Sequence, residues 1–171
     1  MCGKDQYHRE IEARADLDPK YVVQILATGG EPGQLSDVQV LSDFKAEAGR
    51  LSSDGPITYG EYGIVMLEAN RNLSVISQQE KLSPDQVQTA VLQIAECCHH
   101  LHEVGGRIHG DLKPLNIVRV HSSPGDEDTA DRYKLIDMDA SVPFGDPVGS
   151  CHGGEPVSTA YAAPELVCKQ K

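Results

Sequence analysis

Ile108-His109-Gly110-Asp111-Leu112-Lys113-Pro114-Leu115-Asn116-Ile117-Val118, with Leu135-Ile136-Asp137-Met138-Asp139 a short way downstream, is the stretch that decides how this chain is read. It gathers Asp111, Lys113 and Asn116 into one loop and brings Asp137 to the end of an apolar, strand-like run. A loop carboxylate buried without a partner is costly, and Lys113 stands near enough in sequence to offset Asp111. Two carboxylates, a cation and an amide oxygen make a set that can orient a hydroxyl, neutralise a phosphoryl group and hold Mg2+ through oxygen ligands.

Outward from that stretch, the elements follow from local chemistry. Ser83-Pro84-Asp85-Gln86 offers an N-cap hydroxyl, a proline at the first helical position and a glutamine three residues after the cap, so a helix is expected over 83–104, ending at Gly105-Gly106. Val87, Val91, Ile94, Cys98 and Leu101 recur at helical spacing and are expected on its buried face. Ile117 to Val120 and Tyr133 to Ile136 read as two short strands around a polar loop, His121 to Arg132, whose acidic residues are expected to be solvated. Upstream, Tyr7 to Leu17 reads as the back half of a helix closed by Pro19. Tyr21 to Leu26 and Tyr62 to Leu67 read as strands, and residues 28–60 as a loop-rich insertion marked by Gly29-Gly30, Pro32-Gly33 and Gly55-Pro56.

The chain has 171 residues, enough for one modest domain, and carries 26 acidic against 15 basic side chains for a formal charge of −11. That balance disfavours nucleic acid or an anionic membrane as partner and leaves a basic peptide or a Mg2+-nucleotide compatible. No apolar run is long enough to span a bilayer, and the first residues lack the hydrophobic core of a signal peptide. Five cysteines, an odd number with two adjacent, suit a reducing compartment, so a cytoplasmic, soluble protein is expected. Cys97-Cys98-His99-His100 has no second Cys/His pair at zinc spacing and reads as a partly buried helix end.

His109-Gly110-Asp111, with Asn116 five residues beyond the aspartate, resembles the catalytic loop of eukaryotic protein kinases. The resemblance extends to Asp137-Met138-Asp139 at the family's Asp-Phe-Gly turn and to Ala163-Pro164-Glu165, the motif that closes its activation segment. It also takes in Arg9-Glu10-Ile11-Glu12 with Leu17-Asp18-Pro19, similar to the end of helix C and its exit. It implies that Asp111 orients or deprotonates a substrate hydroxyl and that Lys113 neutralises the transferred phosphoryl, as in serine/threonine rather than tyrosine kinases. Asn116 and Asp137 would hold Mg2+, Glu10 would be the ion-pairing glutamate, and His109 would brace the loop. Leu67, Glu68, Ala69 and Asn70 would be the hinge whose backbone meets the adenine of ATP, with Met66 or Leu67 as gatekeeper. Thr159 would contact Asp111 and Lys113 from the substrate side, and Glu165 would close the activation segment.

The family's glycine-rich phosphate loop and strand lysine are not found ahead of Glu10, and only six residues follow Glu165. The expectation is therefore an α+β, incomplete kinase-like fold: 1–67 as a small-lobe remnant, 68–70 as hinge and 71–171 as the catalytic part of the large lobe. Such a chain is expected to turn over little alone and to need the remaining segments or a partner chain. Gly110 stands where the family has arginine, which implies that activation-loop phosphorylation is not the switch; Asp139 stands where it has glycine. The expected function is transfer of the ATP γ-phosphoryl to serine or threonine hydroxyls of a protein or peptide. His-Gly-Asp also resembles aminoglycoside and choline phosphotransferases, and a non-catalytic pseudokinase scaffold is the alternative from another class.

Overall fold

The computed structural model describes residues 4–29, 62–121, 131–146 and 160–162. The chain divides into two compact units, Met1–His8 with Gln24–Leu67, and Arg9–Val23 with Glu68–Lys171. In the first, β1 (Ile25–Gly29) pairs antiparallel with β2 (Gly63–Met66), and the Leu67 N–H continues the ladder to Gln24 O at 2.9 Å. Tyr7, fully buried, meets the Tyr62 ring at 5.3 Å.

The second unit is built on β3 (Arg71–Asn72), β5 (Ile117–Val120) and β6 (Arg132–Leu135), ordered β3-β5-β6 and antiparallel throughout. A second ribbon joins β4 (Arg107–Ile108) to β7 (Val142–Pro143). Helix α1 (Lys4–Arg14) enters this unit with its last turns. It stops earlier than Pro19 suggests, because the Leu17 N–H turns back to Arg14 O at 3.1 Å and seats Leu17 in the core. The expected strand over 21–26 is split in two by its hydrogen bonds. Tyr21 to Val23 serve Leu135, as an isolated parallel bridge at Val22, and β1 begins only at Ile25.

Helix α2 (Leu73–Gln79) is capped by the Asn72 side chain on the Val75 N–H. At its far end Glu80 grips Arg119 of β5 through both carboxylate oxygens at 2.8 and 2.9 Å. This bond to the guanidinium holds the Glu80 carboxyl below the usual range. Helix α3 (Pro84–Glu103) carries the expected capping box, with Ser83 and Gln86 each bonded to the other's backbone.

The buried face of α3 differs from the expected one. Ala90, Cys97 and Leu101 are buried, with Ile94 and Cys98 packed beside them, whereas Val87 and Val91 are 46% and 59% exposed. Ala90 and Cys97 thus take the buried positions of α3, and the stripe is rotated away from the two valines. The core joins these residues to Ala13, Leu17, Val22, Ile76, Ile117, Tyr133, Leu135 and Met138. Fully burying a side chain such as Ile76 or Leu101 contributes about 1.5–3 kcal/mol.

Cys97 donates its thiol to Tyr133 O at 3.4 Å, and burial pushes that thiol up to about 12. His100 accepts the Asp18 N–H at 2.9 Å and stacks on Tyr21, so this cluster ties the turn after α1 to α3. Among the described residues no helix is long and apolar enough to cross a membrane.

Candidate active site

The loop that leaves β4 folds onto itself around Asp111. His109, 5% exposed, sits at its base with Nε2 3.1 Å from Ile136 O and Nδ1 facing the Asp111 N–H at 3.4 Å. One neutral tautomer satisfies both contacts, Nε2–H donating and Nδ1 accepting. Burial lowers the His109 pKa and prevails over the opposing influence of the Asp137 and Asp111 carboxylates. Both aspartates thus flank one buried, uncharged ring. Stability that depends on this ring is present above its ordinary pKa of about 6.5 and falls as acid protonates the unfolded chain first.

Gly110 follows with φ of 78°, and a Cβ on it would lie 2.1 Å from Ala140 O. The glycine is demanded twice over, by backbone conformation and by this approach. Lys113 Nζ bonds Asp111 Oδ2, and each of these side chains is 18% exposed. Pro114 opens a single 3-10 turn, Pro114–Asn116, that brings Asn116 back under Asp111. Asn116 is 4% exposed, and its Nδ2 donates to Asp111 O at 3.1 Å and to Asp111 Oδ2 at 3.3 Å. Lysine and asparagine thus converge on the same carboxylate oxygen. With Nδ2 committed, the amide oxygen of Asn116 accepts no hydrogen bond among the described residues, and it is the kind of oxygen a hard cation takes.

Asp137 is placed by the β5–β6 pairing, since the Ile136 N–H bonds Asn116 O at 3.0 Å and ties the end of the strand to the loop. It has a φ of 67°, the only non-glycine residue with positive φ among those described. That conformation costs an L-residue about 1–2 kcal/mol and persists only where its surroundings impose it. They do: Met138 is fully buried, its N–H bonds Glu10 Oε2, its carbonyl accepts the Ser141 N–H at 2.9 Å, and Arg107 clasps Ser141 at 3.1 and 3.2 Å. Asp139 is half-buried beside Asp137 and Glu10, and its pKa is raised, first by burial and then by those charges.

Of the residues picked out by sequence, Asp111, Lys113 and Asn116 lie in mutual contact. Asp137 is joined to them through Ile136 and His109, and Glu10 reaches the same turn through Met138. Leu67 and Glu68 are exposed and Ala69 half-buried; the N–H groups of Leu67 and Asn70 are already bonded, to Gln24 O and Arg119 O, each at 2.9 Å. Thr159 and Glu165 lie outside the described residues. Sequence reasoning missed Arg14, the partner of Glu10, and Arg107. The spacing Glu10-x-x-x-Arg14 is a helical pair and was the available signal. Among the described residues no group of three or more His, Cys, Asp or Glu side chains forms a metal site. An Asp137 carboxylate with an Asn116 amide instead suits Mg2+, which takes one or two such ligands and completes its shell with phosphate and water. No protein-family model matches the chain, and no curated protein sequence does.

Proposed function

We propose that this chain carries the catalytic loop of a protein-kinase-type phosphotransferase, acting on serine or threonine hydroxyls of cytoplasmic proteins or peptides. One observation carries the reading: Lys113 and Asn116 close on a single oxygen of Asp111, while Asp137 is held in a strained turn bonded to the same loop. A surface loop has no need of such convergence. Bound Mg2+-ATP would supply an electrophilic phosphoryl group already partly neutralised. Asp111 would accept the hydrogen bond of the incoming hydroxyl and aim its oxygen. Lys113, alongside, would place a positive charge where negative charge gathers during transfer. Asn116 Oδ1 and the Asp137 carboxylate would hold the metal.

The steric requirement for Gly110 favours a second reading, a small-alcohol phosphotransferase with His-Gly-Asp; Lys113 weighs for the protein substrate. Calorimetry with ATP, with and without Mg2+, tests the core of both. Binding that needs Mg2+ and weakens at least about tenfold in Asp137→Ala is expected, since a tenfold loss corresponds to about 1.4 kcal/mol of metal contact. Binding indifferent to Mg2+ or to Asp137 leaves only the scaffold reading.

A further inference from the structure

Glu10 and Arg14 lie one turn apart on α1, 5% and 7% exposed. A carboxylate this deeply buried requires a cation, and here the cation comes from its own helix. Arg14 Nε donates to Glu10 Oε1 at 2.5 Å, Nη2 makes an ion-pair contact with the same oxygen at 2.5 Å, and Nη1 donates to Val23 O at 2.6 Å. The other oxygen of Glu10 accepts the Met138 N–H, across 128 residues of sequence. The two oxygens therefore have separate duties: one is neutralised by arginine, the other fixes the peptide that follows Asp137.

We infer that Arg14 is a positioning residue for the Asp137 turn, and that the Glu10–Arg14 pair forms a lock which, through the Met138 N–H, holds Asp137 in its left-handed conformation. The guanidinium is occupied by Glu10 and by the carbonyl of Val23, so it acts through Glu10 rather than on a phosphate. Because both partners sit on one helix, the charge pair cannot be broken by moving that helix as a body. The lock is built in rather than switched. The inference rests on the phosphotransferase reading only for the identity of what Asp137 holds.

The test compares Arg14→Met, Arg14→Lys and the double variant Glu10→Gln with Arg14→Met in the full chain, by amide hydrogen exchange and by ATP calorimetry with Mg2+. In Arg14→Met, protection of the Met138 amide is expected to fall at least about tenfold while the Leu101 amide in α3 keeps its own, and Mg2+-dependent ATP binding weakens by a similar factor. Arg14→Lys, which keeps the charge, restores most of both. The double variant removes the uncompensated charge yet leaves, in place of the carboxylate, a side-chain amide oxygen able to accept the Met138 N–H, so its Met138 protection recovers. Unchanged Met138 protection in Arg14→Met overturns the inference, and so does a double variant no better than Arg14→Met, including the case in which both fail to fold. If the unaltered chain binds no Mg2+-nucleotide, the functional reading fails, while Met138 exchange still decides the role of Arg14.

Discussion

Gly110 bears on the site through what it lacks. A sequence comparison with protein kinases makes its missing side chain look like the loss of a regulatory arginine. The backbone gives a more local reason: a φ of 78° and the Ala140 carbonyl 2.1 Å from where a Cβ would stand. Ala140 belongs to the turn that follows Asp137, so any side chain at Gly110 must push the two halves of the site apart. Gly110→Ala is therefore expected to destabilise the chain by more than about 2 kcal/mol, left-handed strain and the clash adding, and Gly110→Arg by at least as much. Chemical denaturation followed by circular dichroism measures both. A Gly110→Arg protein as stable as the original would mean that the loop can move away from Ala140 at no cost.

Among the elements, α3 separates what local sequence can specify from what it cannot. Its start was legible because the capping box involves only Ser83 and Gln86, whose partners are their own neighbours. Its buried face was not, because residues 87, 91, 94, 98 and 101 and residues 90, 94, 97 and 101 are both acceptable helical stripes, differing by a small rotation. What decides between them is the fit of Ala90 and Cys97 against the sheet, where the Tyr133 carbonyl receives the Cys97 thiol. The energetic consequence is large. Leu101→Ala removes a fully packed side chain and is expected to cost about 2–5 kcal/mol, whereas Val91→Ser, on the exposed side, stays within about 0.5 kcal/mol. Urea midpoints of the two variants measure the difference. A Val91 substitution as damaging as that of Leu101 would restore the stripe expected from periodicity.

For the whole molecule, legibility follows distance along the chain. Asp111, Lys113 and Asn116 fall within six residues, so their convergence was readable from spacing; the tie from Glu10 to Met138 spans 128 residues and only the fold makes it. Arg14 stood in plain view, yet Glu-x-x-x-Arg is ordinary on solvated helices and acquires meaning only through burial. Net charge, by contrast, needs no fold. With a formal charge of −11 the chain repels acidic partners at long range and draws basic ones, through a field that salt screens within about 10 Å at 0.1 M. If the substrate is a peptide, its basic residues therefore speed encounter and set orientation, and the serine or threonine beside them need contribute little to affinity. A labelled serine peptide rich in lysine and arginine is expected to bind at low ionic strength, to weaken about tenfold or more between 20 and 300 mM salt, and to outcompete an acidic peptide of equal length at every concentration. Fluorescence anisotropy reads all three. Equal binding of the acidic peptide, or affinity indifferent to salt, would show that local contacts and not the field of the molecule select the partner.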